Sequence, residues 1–300
     1  MGGRGGTERQ TMTVDVHTHF LDFDRHCGPQ VLADLQRCAI SPDIWRFTPE
    51  DHLRATEAAD AAIVFGLQAA RTGWHVPNDA VAAQVARAPT RLIFFASVDP
   101  GQEGFMVELE RCHQALGCKG VKLGPIYQGV HPLDPRYYEI YRYCERHALP
   151  VIAHMATTFS SGVPLDYARP AHMDQVACDF PELRIVLAHM GHPWEEEAIA
   201  AIRKQPHLYA DVSALYYRPW QHYHAMRLAV EYGAQGKLLF GSDFPATRTA
   251  ESIAGLRGVN AVLAQSGLPP IPEAVVEEII HRDALPLLGI PSQAAQDSAP

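Results

Sequence analysis

No run of basic residues, no Cys-x-x-Cys pair and no apolar stretch of bilayer length occurs in these 300 residues, and each absence closes off a class of function. Nucleic acid and anionic membrane both demand a basic patch, whereas this chain carries a formal charge of −9 with its histidines neutral. The acidity favours solubility and identifies no partner. Spanning a bilayer takes about 20 consecutive apolar residues, and no run approaches that length. The six cysteines, Cys27, Cys38, Cys112, Cys118, Cys144 and Cys178, are scattered and lack zinc-knuckle spacing. Several fall in expected helices, where cysteine behaves as a small buried hydrophobe. The first ten residues lack the apolar core of a signal peptide. A reduced, cytoplasmic protein is the expectation.

What is present is a regular alternation. Hydrophobic residues make up 47% and charged residues 20%, an ordinary globular balance. Eight short β-branched or apolar runs recur, at 13–17, 61–65, 92–98, 120–123, 150–154, 184–189, 208–213 and 237–243. They are nearly continuous in apolar character, as parallel strands buried on both faces are. Amphipathic segments separate them. Thr48-Pro49-Glu50-Asp51 is a helix start with an N-cap, a proline at the first position and acids in the first turn. Further starts fall at Asn78-Asp79, Asp134-Pro135 and Pro193, and closing helices are expected over 249–267 and 272–288. No G-x-G-x-x-G or P-loop follows any strand, which removes the usual reason to prefer an open sheet. The pattern predicts one (β/α)8 TIM barrel over 11–290, a flexible leader over 1–10 and a disordered tail over 291–300.

Polar residues punctuate these strands at their carboxyl ends. Strand one ends in His17-Thr18-His19, strand five in His154, strand six in His189 and strand eight in Asp243. A closed barrel gathers those ends around one rim, where catalytic groups sit in this fold. Alternate residues on a strand point the same way, so an H-x-H sends both rings to the barrel mouth. Imidazoles with a carboxylate form a borderline-soft set suited to zinc, with a position left for water. An isolated H-x-H would carry little weight; four strand ends bearing such groups in order carry much more.

Residues 14–20 (V-D-V-H-T-H-F), 119–124 (K-G-V-K-L-G), 151–154 (V-I-A-H), 186–191 (V-L-A-H-M-G) and 240–245 (F-G-S-D-F-P) together resemble the amidohydrolase superfamily. The likeness is to its amidohydrolase 2 branch, that of the aminocarboxymuconate-semialdehyde decarboxylase-like metal-dependent hydrolases, and runs from about residue 13 to 290. It implies a distorted barrel with one divalent metal held by His17, His19, His154 and Asp243. Zinc is the expected ion, with manganese the alternative. A divalent ion lowers the pKa of bound water towards ~7. Asp243 would then accept the proton, and His189 would orient the water or the oxyanion. Two roles stay open here. Lys122 ends strand four, where binuclear relatives carry a carboxylated lysine; it either bridges a second metal, with His154 and His189, or remains a cation that pairs with substrate.

Where relatives have His-x-Gly-Gly, this chain has His189-Met190-Gly191-His192, so His192 replaces a glycine and either faces substrate or lies at the surface. Arg282-Asp283-Ala284 replaces the relatives' Asn-Ala after the last helix. Loop residues expected to build the pocket are Phe20, Lys122, Tyr127, Thr157, His192, Trp194, Tyr216, Arg218 and Arg248. Aromatic walls with arginine suit a small organic acid. The leading expectation is hydrolysis of a C–O or C–N bond in a carboxylated ester, lactone or amide, with decarboxylation of an aromatic or muconate-like acid as the alternative. A homodimer is compatible with the sequence. Fold alone assigns no reaction.

Overall fold

The computed structural model describes residues 12–263 and 266–291, so the expected leader and nearly all of the expected tail lie outside the described residues. Eight barrel strands follow in chain order: β1 (Val14–His19), β2 (Ala61–Phe65), β3 in two pieces (Leu92–Phe94 and Ala96–Ser97), β4 (Val121–Leu123), β5 (Val151–Ala153), β6 (Ile185–Leu187), β7 (Leu208–Asp211) and β8 (Leu238–Leu239). All of them pair in parallel, in two arcs: β1-β2 with the first piece of β3, then the second piece of β3 through β4 to β8. Backbone hydrogen bonds join the arcs at both seams. Phe95 N–H reaches Val64 O at 2.9 Å while Ala96 N–H reaches Gly120 O at 3.0 Å, which splices β3. On the far side Val16 N–H donates to Phe240 O at 3.0 Å and Asp243 N–H to His17 O at 2.8 Å. The ring closes as the alternating pattern predicts.

The strands are short because the chain turns outward early at the rim. His154, His189 and Asp243 therefore lie just beyond β5, β6 and β8 rather than on them. The interior is filled by Val14, Val16, Ile63, Phe65, Phe95, Ile152, Val186 and Leu239, and Leu285 and Leu288 plug its lower end. The helix start at Thr48 has the expected capping box with Asp51. The helix expected over 249–267 ends sooner, at Arg257; Gly258 caps it and a 3-10 turn, Val259–Leu263, follows. The one expected over 272–288 is Glu273–Ile280, capped at His281, plus a separate turn at Pro286–Leu288. Pro193 precedes its helix by two residues, the helix being Glu195–Lys204.

One register fault in β1 matters most. Val14 and Val16 face the interior, so a strict period of two would turn His17 and His19 outward. The β1–β2 register shifts between Asp15 and Thr18, and past that bulge both histidine rings pack against Phe65, at 5.0 and 4.8 Å between centroids. Phe65 is thus the floor that separates apolar plug from polar rim.

Two tests of this packing follow. An ideal Cβ on Gly120 would fall 2.3 Å from Phe95 Cε2, with Phe95 fully buried. Gly120→Ala is expected to cost roughly 1–3 kcal/mol in urea unfolding, since a filled interior cannot absorb a methyl. His52 is buried between Phe20 and Phe244, and burial lowers its pKa from 6.5 to about 3. It stays neutral when folded, whereas the unfolded chain takes up a proton below 6.5, so stability falls as pH drops from 6.5 towards 3. Between pH 7 and 5, His52→Phe should lose about 2 kcal/mol less stability than the parent, at ~1.4 kcal/mol per pH unit below 6.5.

Candidate metal centre

The bulge in β1 and the early exits of β6 and β8 bring five side chains to one point. His17 Nε2 lies 3.3 Å from His19 Nε2 and 3.3 Å from Asp243 Oδ1, and His19 Nε2 lies 3.5 Å from the same oxygen. His189 joins them, its ligand atom within 4.8 Å of those of His17 and Asp243. Lys122, which points inward from β4 between outward-facing Val121 and Leu123, sets its Nζ 3.1 Å from His17 Nε2. That ammonium also lies 4.5 Å from the centroid of the Phe65 ring.

His154 behaves differently from the other three expected ligands. Its ring centroid is 4.9 Å from that of His189, but its Nε2 lies 3.2 Å from the carbonyl oxygen of Thr157. That contact engages the nitrogen, and His154 is not in the group formed by His17, His189 and Asp243, whose ligand atoms lie within 4.8 Å of one another. His154 borders the cluster.

Protonation follows from burial and partners. Burial drives the pKa of His17, His19 and His189 well below the ordinary histidine value, and the Lys122 charge pushes the same way, so all three rings are neutral. Burial also pushes the Asp243 carboxyl up and the Lys122 ammonium down, while the attraction between them opposes both shifts. The neutral imidazoles of His17 and His19 with the Asp243 carboxyl, and His189 beside them, form a buried nest whose chemistry fits a divalent ion of borderline softness. Lys122 Nζ, 3.1 Å away, competes for the His17 lone pair.

Sequence reading missed the residue that aims two of these rings. Asp211, fully buried at the end of β7, accepts from His17 Nδ1 at 2.9 Å through Oδ2. Its Oδ1 accepts the backbone N–H of His189 at 3.0 Å and that of Ser213 at 3.1 Å, together with the Ser213 hydroxyl. Ser213 has one hydroxyl hydrogen, and it goes to Asp211. Ser213 Oγ must then accept from His189 Nδ1, 2.8 Å away. Both imidazoles therefore carry their proton on Nδ1 and keep the Nε2 lone pair free. This is the carboxylate-to-histidine pattern that orients metal ligands. The run L-Y-A-D-V-S held the signal: an acid and a hydroxyl two apart at the end of an otherwise apolar strand.

The cluster opens into a cavity of about 540 Å³. His19, Lys122, His154, His189 and Asp243 line its base, and fully buried His17 lies behind them. Of the expected pocket residues, Lys122, Tyr127, Thr157, His192 and Arg218 reach the wall. Four take other positions. Phe20 packs on Phe47 and His52, and Trp194 lies under the Arg169 guanidinium. Tyr216 donates its hydroxyl to Gly241 O at 2.7 Å, and Arg248 sits at the N-cap of the helix Thr249–Arg257. Their places are taken by Trp45, Trp74, Phe159 and Tyr217, with Ile40, Ile44, Leu21 and Leu67. These come from the partly helical segment after β1, the stretch from Leu67 through the hairpin of Gln68–Ala69 with Trp74–His75, and the loops after β5 and β7.

Asp211→Asn should weaken zinc or manganese binding by roughly 10–100-fold, because the amide no longer dictates the His17 tautomer. Metal titration with retained circular dichroism checks this; an unchanged affinity would remove Asp211 from the role.

The geometry has parallels among known proteins. No curated protein matches the chain. Among solved structures, it resembles an uncharacterized TIM-barrel protein from Bordetella bronchiseptica at 23% identity and a TM-score of 0.70, over 92% of this chain and 98% of that one. It also resembles a dihydroxybenzoic acid decarboxylase from Polaromonas sp. JS666 with bound manganese and 2-nitroresorcinol (16% identity, TM-score 0.64, over 93% and 97%). A third is a probable 2-pyrone-4,6-dicarboxylic acid hydrolase from Acinetobacter baumannii with citric acid bound (18%, TM-score 0.56, over 93% and 99%). Likenesses this distant establish the barrel fold. Residues 14–290 match the family model described as amidohydrolase, a span that holds both the ring of strands and the converging histidines and aspartate, and the chain belongs to that family of enzymes.

Proposed function

We propose that the protein is a metal-dependent hydrolase that cleaves a C–O or C–N bond in a small carboxylated aromatic ester, lactone or amide, with zinc as the ion and manganese as the alternative. The observation that carries this reading is the convergence of neutral His17, His19 and His189 with Asp243 and Lys122 at the base of an apolar cavity. His154 is the further ligand the resemblance implies. When bound, a divalent ion supplies Lewis acidity and a water of lowered pKa.

The chain's own residues divide the remaining work. Asp243 takes the proton of the attacking water and later returns it to the leaving atom. His189, with its proton fixed on Nδ1, presents Nε2 to hold that water in line. Lys122 offers a positive charge to the oxyanion as the carbonyl is attacked. Arg218 lines the cavity with its Nη1 tied to Ala214 O at 2.7 Å and its guanidinium over Tyr217, which pre-orients a cation for a substrate carboxylate. Trp45, Trp74 and Phe159 exclude water and supply flat walls.

Decarboxylation is the second reading, supported by those same apolar walls. A carboxylate placed there is stripped of water, which favours its loss as neutral carbon dioxide, and the likeness to dihydroxybenzoate decarboxylases points the same way. Enzyme loaded with zinc or manganese is to be assayed on aromatic esters, lactones, amides and hydroxybenzoates, with acid release and carbon dioxide release followed in parallel. Acid release without carbon dioxide is expected, lost with chelator and reduced about 10²–10⁴-fold in Asp243→Asn. Carbon dioxide alone would replace the first reading by the second, and full activity under chelation would overturn the metal in both.

A further inference from the structure

Away from the metal centre, one buried pair of polar side chains belongs to the cavity wall and has no part in the chemistry above. His192 and Glu195 are 8% and 5% exposed, and His192 Nδ1 lies 2.7 Å from Glu195 Oε1. His192 lines the cavity and Glu195 does not. Among the described residues Nε2, on the ring edge away from Glu195, has no hydrogen-bond partner and is accessible, so that edge is the one that the cavity reaches.

The chemistry of the pair fixes what Nε2 offers. Burial works to raise the Glu195 carboxyl, but the hydrogen bond from His192 and one from its own backbone overcome it and hold the carboxyl below its ordinary value. An ionised carboxylate only accepts, so Nδ1 must donate to it, and a neutral ring then keeps a lone pair on Nε2. The backbone on either side is pinned: His192 N–H donates to His189 O at 3.0 Å, and Thr157 N–H donates to His192 O at 2.7 Å. The result is a rigid acceptor on a largely apolar wall. Such a group pairs with a donor on the ligand, and an analogue that lacks the donor leaves it desolvated and unpaired.

We propose that His192, with its tautomer set by Glu195, accepts a hydrogen bond from a hydroxyl of the substrate and so selects hydroxylated aromatic acids and their esters over methoxylated or unsubstituted ones. This assignment rests on the reading of the cavity as an aromatic-acid site.

The test uses the zinc-loaded full chain and calorimetric titration with benzoate, the three monohydroxybenzoates and the three matching methoxybenzoates. At least one hydroxy isomer should bind about tenfold or more tightly than both its methoxy partner and benzoate. His192→Phe should bind that pair alike, while it keeps one zinc equivalent and still binds benzoate. His192→Gln, whose carbonyl oxygen can accept, should recover part of the preference, and Glu195→Gln, which frees the ring tautomer, should narrow it. A parental preference retained in His192→Phe overturns the assignment, as does equal binding of each hydroxy and methoxy pair by the parent chain. Failure of the zinc-loaded parent to bind any benzoate would instead defeat the reading of the cavity, and the assignment with it.

Discussion

Everything at the barrel mouth hangs from the carboxylate of Asp211. It lies fully buried at the end of β7, and its two oxygens are shared among His17, His189 and Ser213. An isolated carboxylate in such a place would be costly, so each contact stabilises the acid as much as it positions the donor. The arrangement has one consistent set of protons. Asp211 takes hydrogens from His17 Nδ1 and Ser213 Oγ, Ser213 takes one from His189, and two lone pairs face the cluster. Networks with a single solution of this kind fix ring orientation more tightly than packing does.

A second buried acid, Asp15, does for the backbone what Asp211 does for the rings. It accepts from His17 N–H at 3.2 Å, Ser242 N–H at 2.9 Å and Thr249 Oγ at 2.6 Å, and so joins β1 to the turn that carries Asp243. Burial nonetheless raises its pKa to about 6. Asp211 and Asp243 both act on the buried ammonium of Lys122. A site so rich in carboxylate oxygen and free imidazole nitrogen favours a cation at its centre. The lysine offsets part of that excess of negative charge.

The barrel and most of the cluster were legible because both rest on local pattern. Continuous apolar runs mark parallel strands, and His17, His19, His189 and Asp243 stand out as polar residues that end such runs. What stayed hidden depends on contacts distant in sequence. The bulge near His17 is set by pairing with β2, and nothing in V-D-V-H-T-H-F reveals it; a strict alternation would have contradicted the interior positions of Val14 and Val16. Asp211 looks like any strand-end acid until His17, nearly two hundred residues earlier, is placed beside it. Phe20, Trp194, Tyr216 and Arg248 lie close to strand ends in the sequence, yet they serve packing and capping instead. Trp45 and Trp74 form the wall because the segment after β1 and the hairpin at Gln68–Ala69 fold over the mouth, a matter of local geometry with no periodic signature.

The backbone records what this assembly costs. His189 and Asp243 both adopt left-handed conformations, with φ of 58° and 61°, as do Met190 after His189, at 50°, and Ala214 after Ser213, at 59°. For residues other than glycine, each such conformation costs roughly 1–3 kcal/mol and persists only where surroundings over-determine it. Here the restraints are visible. His189 N–H is held by Asp211 and Asp243 N–H by His17 O at 2.8 Å, while the rings behind them pack on Phe65. A right-handed turn at either position would carry the side chain away from the centre and leave a buried N–H without an acceptor. Strain and convergence are thus one feature: the early exit of β6 and β8 from the sheet lets these two side chains turn back over the barrel axis, and the interior pays for the turn through bonds that a regular strand would not have needed.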